Sequence, residues 1–295
     1  MVDGGDALRW TAGRAAAHLR VPTRADDKYS RGVVGLRTGS DAYPGAAVLG
    51  VQAAWRTGIG MVRYLGPARA AALVLQRRPE TVTVDGRVQA WVIGSGMDAA
   101  ARTGDETAAL RRVLDGTVPV VVDAGALDLA VGARAPRVVT PHAREHAALR
   151  ERLGLAAGEP HGDAERAASA RETAAALGGT VLLKGAVTTV ATPAGVTASV
   201  DAGTPWLATA GTGDVLAGIL GALVAAAQAD AEAAGSALDA EALGPLAATA
   251  AWLHGRAAVR AAGAGRGAAS GPITALDVAD ALPRVIAHLL GASAS

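Results

Sequence analysis

The segment Leu207-Ala-Thr-Ala-Gly-Thr-Gly-Asp-Val-Leu-Ala-Gly-Ile-Leu220 sets two closely spaced glycines and a carboxylate at the start of an apolar run. Gly211 and Gly213 permit backbone conformations closed to other residues, so consecutive N–H groups can converge on an anion. A helix beginning there adds the positive end of its dipole at the same point. Asp214 would then stand beside a phosphate-binding nest, where it could take the proton of a substrate hydroxyl, as phosphoryl transfer requires. The alternative makes Asp214 a helix N-cap and the glycines close-packing residues of a buried helix.

Four further segments could join that chemistry. Lys184-Gly-Ala-Val-Thr188 follows the apolar run Val181–Leu183. A lysine and a bare backbone at a strand end suit a nucleotide, and an ordinary hairpin turn with a solvated lysine is the other reading. Gly94-Ser-Gly-Met97 follows a second apolar run, Ala90–Ile93. Asp123 and His142 close two more, in Val121-Val-Asp-Ala-Gly-Ala126 and Val139-Thr-Pro-His-Ala143. Asp123 could hold Mg²⁺, orient a loop or cap a helix; His142 could hydrogen-bond a substrate or serve the structure. His254, in Ala-Trp-Leu-His-Gly, reads as a packed helix residue. The sequence has no His/Asp/Glu set with the spacing of a tightly held transition metal.

The elements that must position these residues alternate. The pattern predicts strands at Val33–Leu36, Met61–Leu65, Thr81–Val84, Ala90–Ile93, Val118–Asp123 and Arg137–Thr140. Between them it predicts helices over Pro44–Thr57, Pro67–Gln76 and Asp105–Leu114. Continuous apolar strands separated by helix-length segments imply βαβ units and a parallel sheet covered on both faces, with ligands at its carboxyl edge. Two or three further strands fill Thr180–Val200 as a hairpin around Pro193-Ala194-Gly195. Beyond Thr209 the chain reads as almost wholly helical, with Ala261–Gly271 a flexible loop before a last helix capped by Thr274 with Asp277 in its first turn. The expected architecture is one α/β domain over residues 1–295, a three-layer α/β/α sandwich whose central sheet is mostly parallel, with residues 1–24 a leader or helix.

Composition removes several classes of function. With no cysteine the chain has no disulfide framework, thiol nucleophile, thiolate zinc site or iron–sulfur cluster. A formal charge of +1 leaves no electrostatic footprint for nucleic acid, and 3% aromatic residues offer no stacking platform. Hydrophobic residues at 51% indicate a globular chain. Charges at Asp3, Asp6, Arg9, Arg14 and Arg20 leave no room for a signal-peptide core. The longest uncharged apolar run, Val215–Ala229, is shorter than a membrane span, so a cytoplasmic location is expected. The Ala-rich stretch Val215–Ala262 permits close helix packing between subunits, in a homo-oligomer such as a tetramer, or equally a plain core. Two lysines, Lys28 and Lys184, stand among 28 basic residues; coding bias explains their scarcity, yet Lys184 sits in the candidate nucleotide loop.

Taken in this order, the motifs resemble those of the ADP-dependent NAD(P)H-hydrate dehydratase family, within the ribokinase-like superfamily. The resemblance lies in Gly39-Ser…Tyr43-Pro-Gly-Ala-Ala47, Ile93-Gly-Ser-Gly96, Thr140-Pro-His142, Lys184-Gly185…Thr188, Leu207–Asp214 and Ile273-Thr-Ala-Leu-Asp277, and covers about residues 25–290. Where the family commonly shows Gly-Pro-Gly-Leu-Gly and Asp-Ala-Asp-Ala, this chain has Gly94-Ser-Gly-Met-Asp98 and Asp123-Ala-Gly-Ala126; Trp206 stands where a small residue is usual.

The resemblance implies a repair reaction. ADP, or ATP in its place, would phosphorylate the added hydroxyl of (6S)-hydrated NADH or NADPH (NADHX, NADPHX). Loss of phosphate would restore NADH or NADPH and leave AMP, with Mg²⁺ screening the phosphate charges. Carried over, Ala46, Gly96, His142 and Asp214 would contact the hydrated cofactor. Lys184, Gly185, Ala186, Val187, Thr188 and Gly213 would hold the nucleotide. Gly211, Thr212 and Gly213 would form the anion hole, with Asp214 as base. The leader is too short for an epimerase domain, so the resemblance implies an NAD(P)H-hydrate epimerase on a separate chain. Two other readings keep the fold: a small-molecule kinase for a vitamin precursor or sugar, and a catalytically silent nucleotide-binding protein.

Overall fold

Along the chain run β1 (Leu8–Arg9), α1 (Ala12–Ala16), β2 (Val33–Arg37), α2 (Gly45–Thr57), β3 (Met61–Tyr64), α3 (Ala68–Arg77) and β4 (Ala90–Ile93). There follow α4 (Gly104–Leu114), β5 (Val120–Val122), β6 (Arg137–Val139), α5 (Ala143–Arg152), α6 (Gly162–Leu177) and β7 (Thr180–Leu183). The chain closes with β8 (Thr188–Ala191), β9 (Thr197–Val200), α7 (Thr212–Ala233), α8 (Leu243–Ala261) and α9 (Ala275–Ser293). The structure is a computed structural model that describes residues 7–263 and 270–293. Most of the Ala261–Gly271 stretch lies outside those residues.

The strands form a nine-stranded sheet in the order β1-β9-β8-β7-β6-β5-β4-β2-β3. Only β8 runs against its neighbours; every other pairing is parallel. Successive strand residues point to opposite faces, and the core divides accordingly. Val121, Val138 and Leu182 join the cluster built on α2, α7, α8 and α9, whereas Val120, Val122, Val139, Val181 and Leu183 join the one under α4, α5 and α6. That division makes three layers, as the continuous apolar runs predicted.

Three local expectations change. The predicted strand Thr81–Val84 is a single bridge, Arg63 to Val82, because Pro79 before it and Asp85-Gly86 after it leave one residue in line with β3. The described part of the leader belongs to the fold: β1 pairs in parallel with β9, and Trp10 is buried. Apolar α7 is long enough to cross a bilayer, yet 78% of its most apolar stretch is buried in the fold. A Cβ at Gly218 would stand 2.2 Å from the Gly50 carbonyl oxygen, and one at Gly221 would stand 2.2 Å from Val92 Cγ2. The small residues of α7 therefore let it press onto α2 and the sheet within this chain, which is the plain-core alternative. Thr274 caps α9, its amide and hydroxyl both donating to the Asp277 carboxylate at 2.7 Å.

Candidate functional site

Parallel strands deliver their carboxyl ends to one edge of the sheet, and the chemistry-bearing residues gather there. Gly211, at φ +88°, is the N-cap of α7, so Asp214 lies in the first turn and is not the cap. A Cβ at Gly211 would stand 2.5 Å from Leu49 Cδ1, which gives a second reason for glycine at this left-handed position. The Thr212 amide donates to the Thr209 carbonyl at 3.4 Å, while its hydroxyl donates to the Leu207 and Thr209 carbonyls at 3.0 and 2.9 Å. The Gly213 and Asp214 amides have no backbone acceptor among the described residues. They face outward at the positive end of a 22-residue helix, the arrangement that receives anions.

Asp123, at the end of β5, is 3% exposed and accepts three hydrogen bonds. Its Oδ2 accepts from Ser95 Oγ at 2.8 Å, and its Oδ1 accepts from Thr140 Oγ1 at 2.7 Å and Lys184 Nζ at 3.0 Å. The same ammonium lies 3.7 Å from Glu145 Oε2. A Cβ built on Gly213 would meet Lys184 Nζ at 3.8 Å. Four loops, after β4, β5, β6 and β7, thus place one cation against the first turn of α7.

Charge and burial tune these groups. Burial, then the negative charge of Asp123, raises Asp214 to about 7, against the downward pull of Lys184. For Lys184, burial pulls the ammonium down, but Asp123 and Glu145 outweigh it and the net shift is upward. Lys184 is therefore a fixed cation, and Asp214 is a carboxylate poised to exchange its proton near neutrality. Beneath them His254 is buried in α8, its pKa pushed down to about 4 chiefly by burial, with a hydrogen bond to the Thr212 backbone opposing the shift. Sequence reading left His254 as a packed helix residue; it packs directly under the anion nest.

The remaining expected residues divide. Gly96, at φ +68°, lies against α2: a Cβ there would be 2.3 Å from Ala46 Cβ, so these two are brought together. His142 is the N-cap of α5, its Nδ1 accepting from the Glu145 amide at 3.3 Å, and its half-exposed ring remains open to a ligand. Gly185, Ala186, Val187 and Thr188 do not share the position of Lys184. Residues 185–187 form the turn into β8, which Thr188 begins, and Arg166 donates to the Leu183 and Lys184 carbonyls before it. Asp98 is exposed and accepts from the Ala100 amide at 2.9 Å. Gly125 answers to the backbone beside it: a Cβ there would stand 2.2 Å from the Met97 carbonyl oxygen.

Ser95 and Thr140 lie inside the quoted motifs but are given no role there, and Glu145 lies outside them; all three meet at Asp123 and Lys184. For Glu145 the signal was present, since a carboxylate three residues after a cap is a capping-box spacing. Of the three readings open for Asp123, its contacts favour orienting the loops: it accepts from Ser95, Thr140 and Lys184, and makes no side-chain cap hydrogen bond to the turn that follows. Among the described residues there is no group of three or more His, Asp or Glu that could hold a metal ion. The donor set does not fit a protein-held metal. A cavity of about 420 Å³ lies at the opposite end of the strands, lined by Arg20, Arg31, Gly58 and Ala226 among others, and includes none of these groups.

The NAD(P)H-hydrate dehydratase family model matches residues 34–283. The chain belongs to the NAD(P)H-hydrate dehydratase family. It is 46% identical over 243 residues to the bifunctional NAD(P)H-hydrate repair enzyme Nnr of Mycobacterium tuberculosis strain CDC 1551 / Oshkosh. That alignment covers 78% of this chain and 48% of the relative, so the chain spans about half the length of the curated relative it matches. Its fold matches the ADP/ATP-dependent NAD(P)H-hydrate dehydratase of Bacillus subtilis, co-crystallized with ATP/Mg²⁺, with a TM-score of 0.80 and 27% identity over 96% of this chain and 99% of that one. A ribokinase-like superfamily protein from Enterococcus faecalis shares the fold at a TM-score of 0.77 and 21% identity, covering 98% of each. The family's motif positions at Ala46, Gly96, His142 and Gly211–Asp214 all lie at the carboxyl edge of the sheet.

Proposed function

We propose that this chain dehydrates (6S)-NADHX and (6S)-NADPHX to NADH and NADPH, consuming ADP, or ATP in its place, and releasing AMP and phosphate when ADP is used. One observation carries the reading: a carboxylate with its pKa at about 7 sits in the first turn of a helix with free amides, beside a buried ammonium. Family membership and the ATP/Mg²⁺ in the crystals of the Bacillus subtilis protein support it.

The geometry suggests how each residue acts. Asp214 removes the proton from the added hydroxyl as its oxygen bonds to the terminal phosphorus of ADP. The bond from that phosphorus to the bridging oxygen breaks, and its electron pair leaves on AMP. The Gly213 and Asp214 amides and the α7 dipole hold the phosphoryl oxygens in transit. The carbon–oxygen bond of the phosphorylated intermediate then breaks with loss of a proton from the adjacent carbon, which frees phosphate and restores the ring double bond. Mg²⁺ would come with the nucleotide and would screen its phosphate charges. On this reading Ala46, Gly96 and His142 would contact the hydrated cofactor, and residues 185–188 the nucleotide.

The S form would be supplied by an NAD(P)H-hydrate epimerase on another chain or domain. A cytoplasmic location, a homo-oligomeric state and one domain over the nine-stranded sheet belong to the same proposal. The test is recovery of the NADH absorbance from hydrated NADH on adding the protein, Mg²⁺ and ADP or ATP. No recovery with either nucleotide refutes the reading.

A further inference from the structure

We propose that Lys184 is a catalytic residue that contacts the phosphoryl group in transit, and that Asp123 is a positioning residue holding it there. The proposal rests on the dehydratase reading for the reaction, and on this structure alone for the geometry.

Lys184 leaves the end of β7 with its amide donating to the Pro141 carbonyl at 2.8 Å. From there its side chain turns inward, away from the exposed turn that follows. An ammonium has three N–H donors. One is held by Asp123 at 3.0 Å and a second lies toward Glu145 at 3.7 Å, which leaves the third. The ammonium stands over the first turn of α7, 3.8 Å from where a Cβ on Gly213 would be. An anion resting on the Gly213 and Asp214 amides would lie within reach of that third donor.

Asp123 is held by three donors. Ser95, Thr140 and Lys184 occupy its oxygens, each from a different strand end, and the residue is buried. A buried carboxylate so fixed sets where its cation stands, since removing either partner leaves an unpaired charge. Glu145 is likewise held, its Oε2 accepting from the His142 amide at 2.8 Å. Lysine suits the place because a compact ammonium fits between two carboxylates and a helix end, whereas a planar guanidinium needs more room. Phosphoryl transfer moves charge onto the oxygens in flight, so a pre-placed cation acts most strongly in the transition state. The role assigned by family resemblance, holding the nucleotide with residues 185–188, would act in the ground state instead.

The experiment compares Lys184→Met and Lys184→Arg with the wild type in turnover of hydrated NADH and in calorimetric binding of inorganic phosphate with AMP present. Lys184→Met is expected to lower kcat about 10²-fold or more with KM for ADP changed less than about threefold. Lys184→Arg, which keeps a cation beside Asp123, is expected to keep the melting temperature and still lose about tenfold or more in kcat. Phosphate affinity is expected to fall about tenfold or more in Lys184→Met. If Lys184→Met unfolds, the arginine variant decides: unchanged kcat and unchanged phosphate affinity overturn the proposal. A rise in KM for ADP with kcat preserved also overturns it and returns Lys184 to ground-state nucleotide binding. A wild type that binds phosphate through Lys184 but restores no NADH refutes the dehydratase reading while the phosphoryl contact stands.

Discussion

Replacing Asp214 by Asn is expected to stabilise the protein at alkaline pH while removing its turnover. Burial and Asp123 lift Asp214 from 3.8 to about 7. A group whose folded pKa exceeds its unfolded one contributes stability below the unfolded value, and that contribution is lost as pH rises through the folded value. The ionised form is therefore the costly one, and the cost is greatest above pH 7. A rise of roughly three units at about 1.36 kcal/mol each sets a ceiling near 4 kcal/mol. Water at the partly exposed carboxylate and the buried polar amide of Asn reduce the gain to about 2–3 kcal/mol, or about 3–5 °C in Tm for a chain of this size. Thermal unfolding of both proteins at about pH 8.5 and about pH 4.5 reads the effect, since at the lower pH most of the difference disappears. Turnover falls about 10²-fold or more at both, with nucleotide binding kept. An Asn variant no more stable than wild type at the higher pH, or equally stabilised at both, refutes the electrostatic reasoning.

Other consequences are read more simply. The acid limb of kcat/KM should fall near pH 7, and Asp123→Asn should move it to lower pH, because the charge of Asp123 holds Asp214 up; a limb near an ordinary carboxylate value in the wild type contradicts this. Gly96→Ala forces a Cβ to 2.3 Å from Ala46 Cβ at φ +68° and should raise KM for the hydrated cofactor about tenfold, measured by initial rates. Gly218→Val should destabilise the fold by about 2–4 kcal/mol in urea unfolding, because α7 would be driven off the Gly50 carbonyl. Gly125→Asp, which restores the common family residue, should lower stability by about 1–3 kcal/mol unless Met97 is moved as well.

The sequence made the βαβ alternation legible because parallel strands buried on both faces must be continuous apolar runs, as at Val120–Val122 and Thr180–Leu183. It made Gly211 and Asp214 legible because a nest and its carboxylate are neighbours in the chain. The far edge was not legible: β1 pairs with β9, whose partner residue Ala198 lies far along the chain from Leu8, and no local pattern encodes that distance. The partners of Asp123 were hidden for the same reason, since Ser95, Thr140 and Lys184 end three separate strands. Thr81–Val84 misled because a β-rich stretch beside an edge strand needs room as well as propensity. Asp214 could not be separated from an ordinary cap until Gly211 was seen in that position.

The two lysines make the limits of composition plain. Both stand out equally in a chain whose basic residues are otherwise arginine, and both fall in segments that resemble the family. Their settings differ. Lys28 lies at the amino end of the strands, exposed, with its ammonium 5.2 Å from the centre of the Tyr29 ring and its carbonyl oxygen packed against Gly60. What the fold uses there is backbone, and nothing in the structure explains lysine over arginine. Lys184 lies at the carboxyl end, clamped by Asp123 and facing the first turn of α7. Scarcity alone assigns the same weight to both, and burial beside a buried carboxylate assigns it to one. Lys28→Arg should therefore leave kcat, KM and Tm unchanged, and Lys184→Arg should lower kcat about tenfold at unchanged Tm. Equal behaviour of the two variants, in either direction, would mean that the distinction drawn from their surroundings is false.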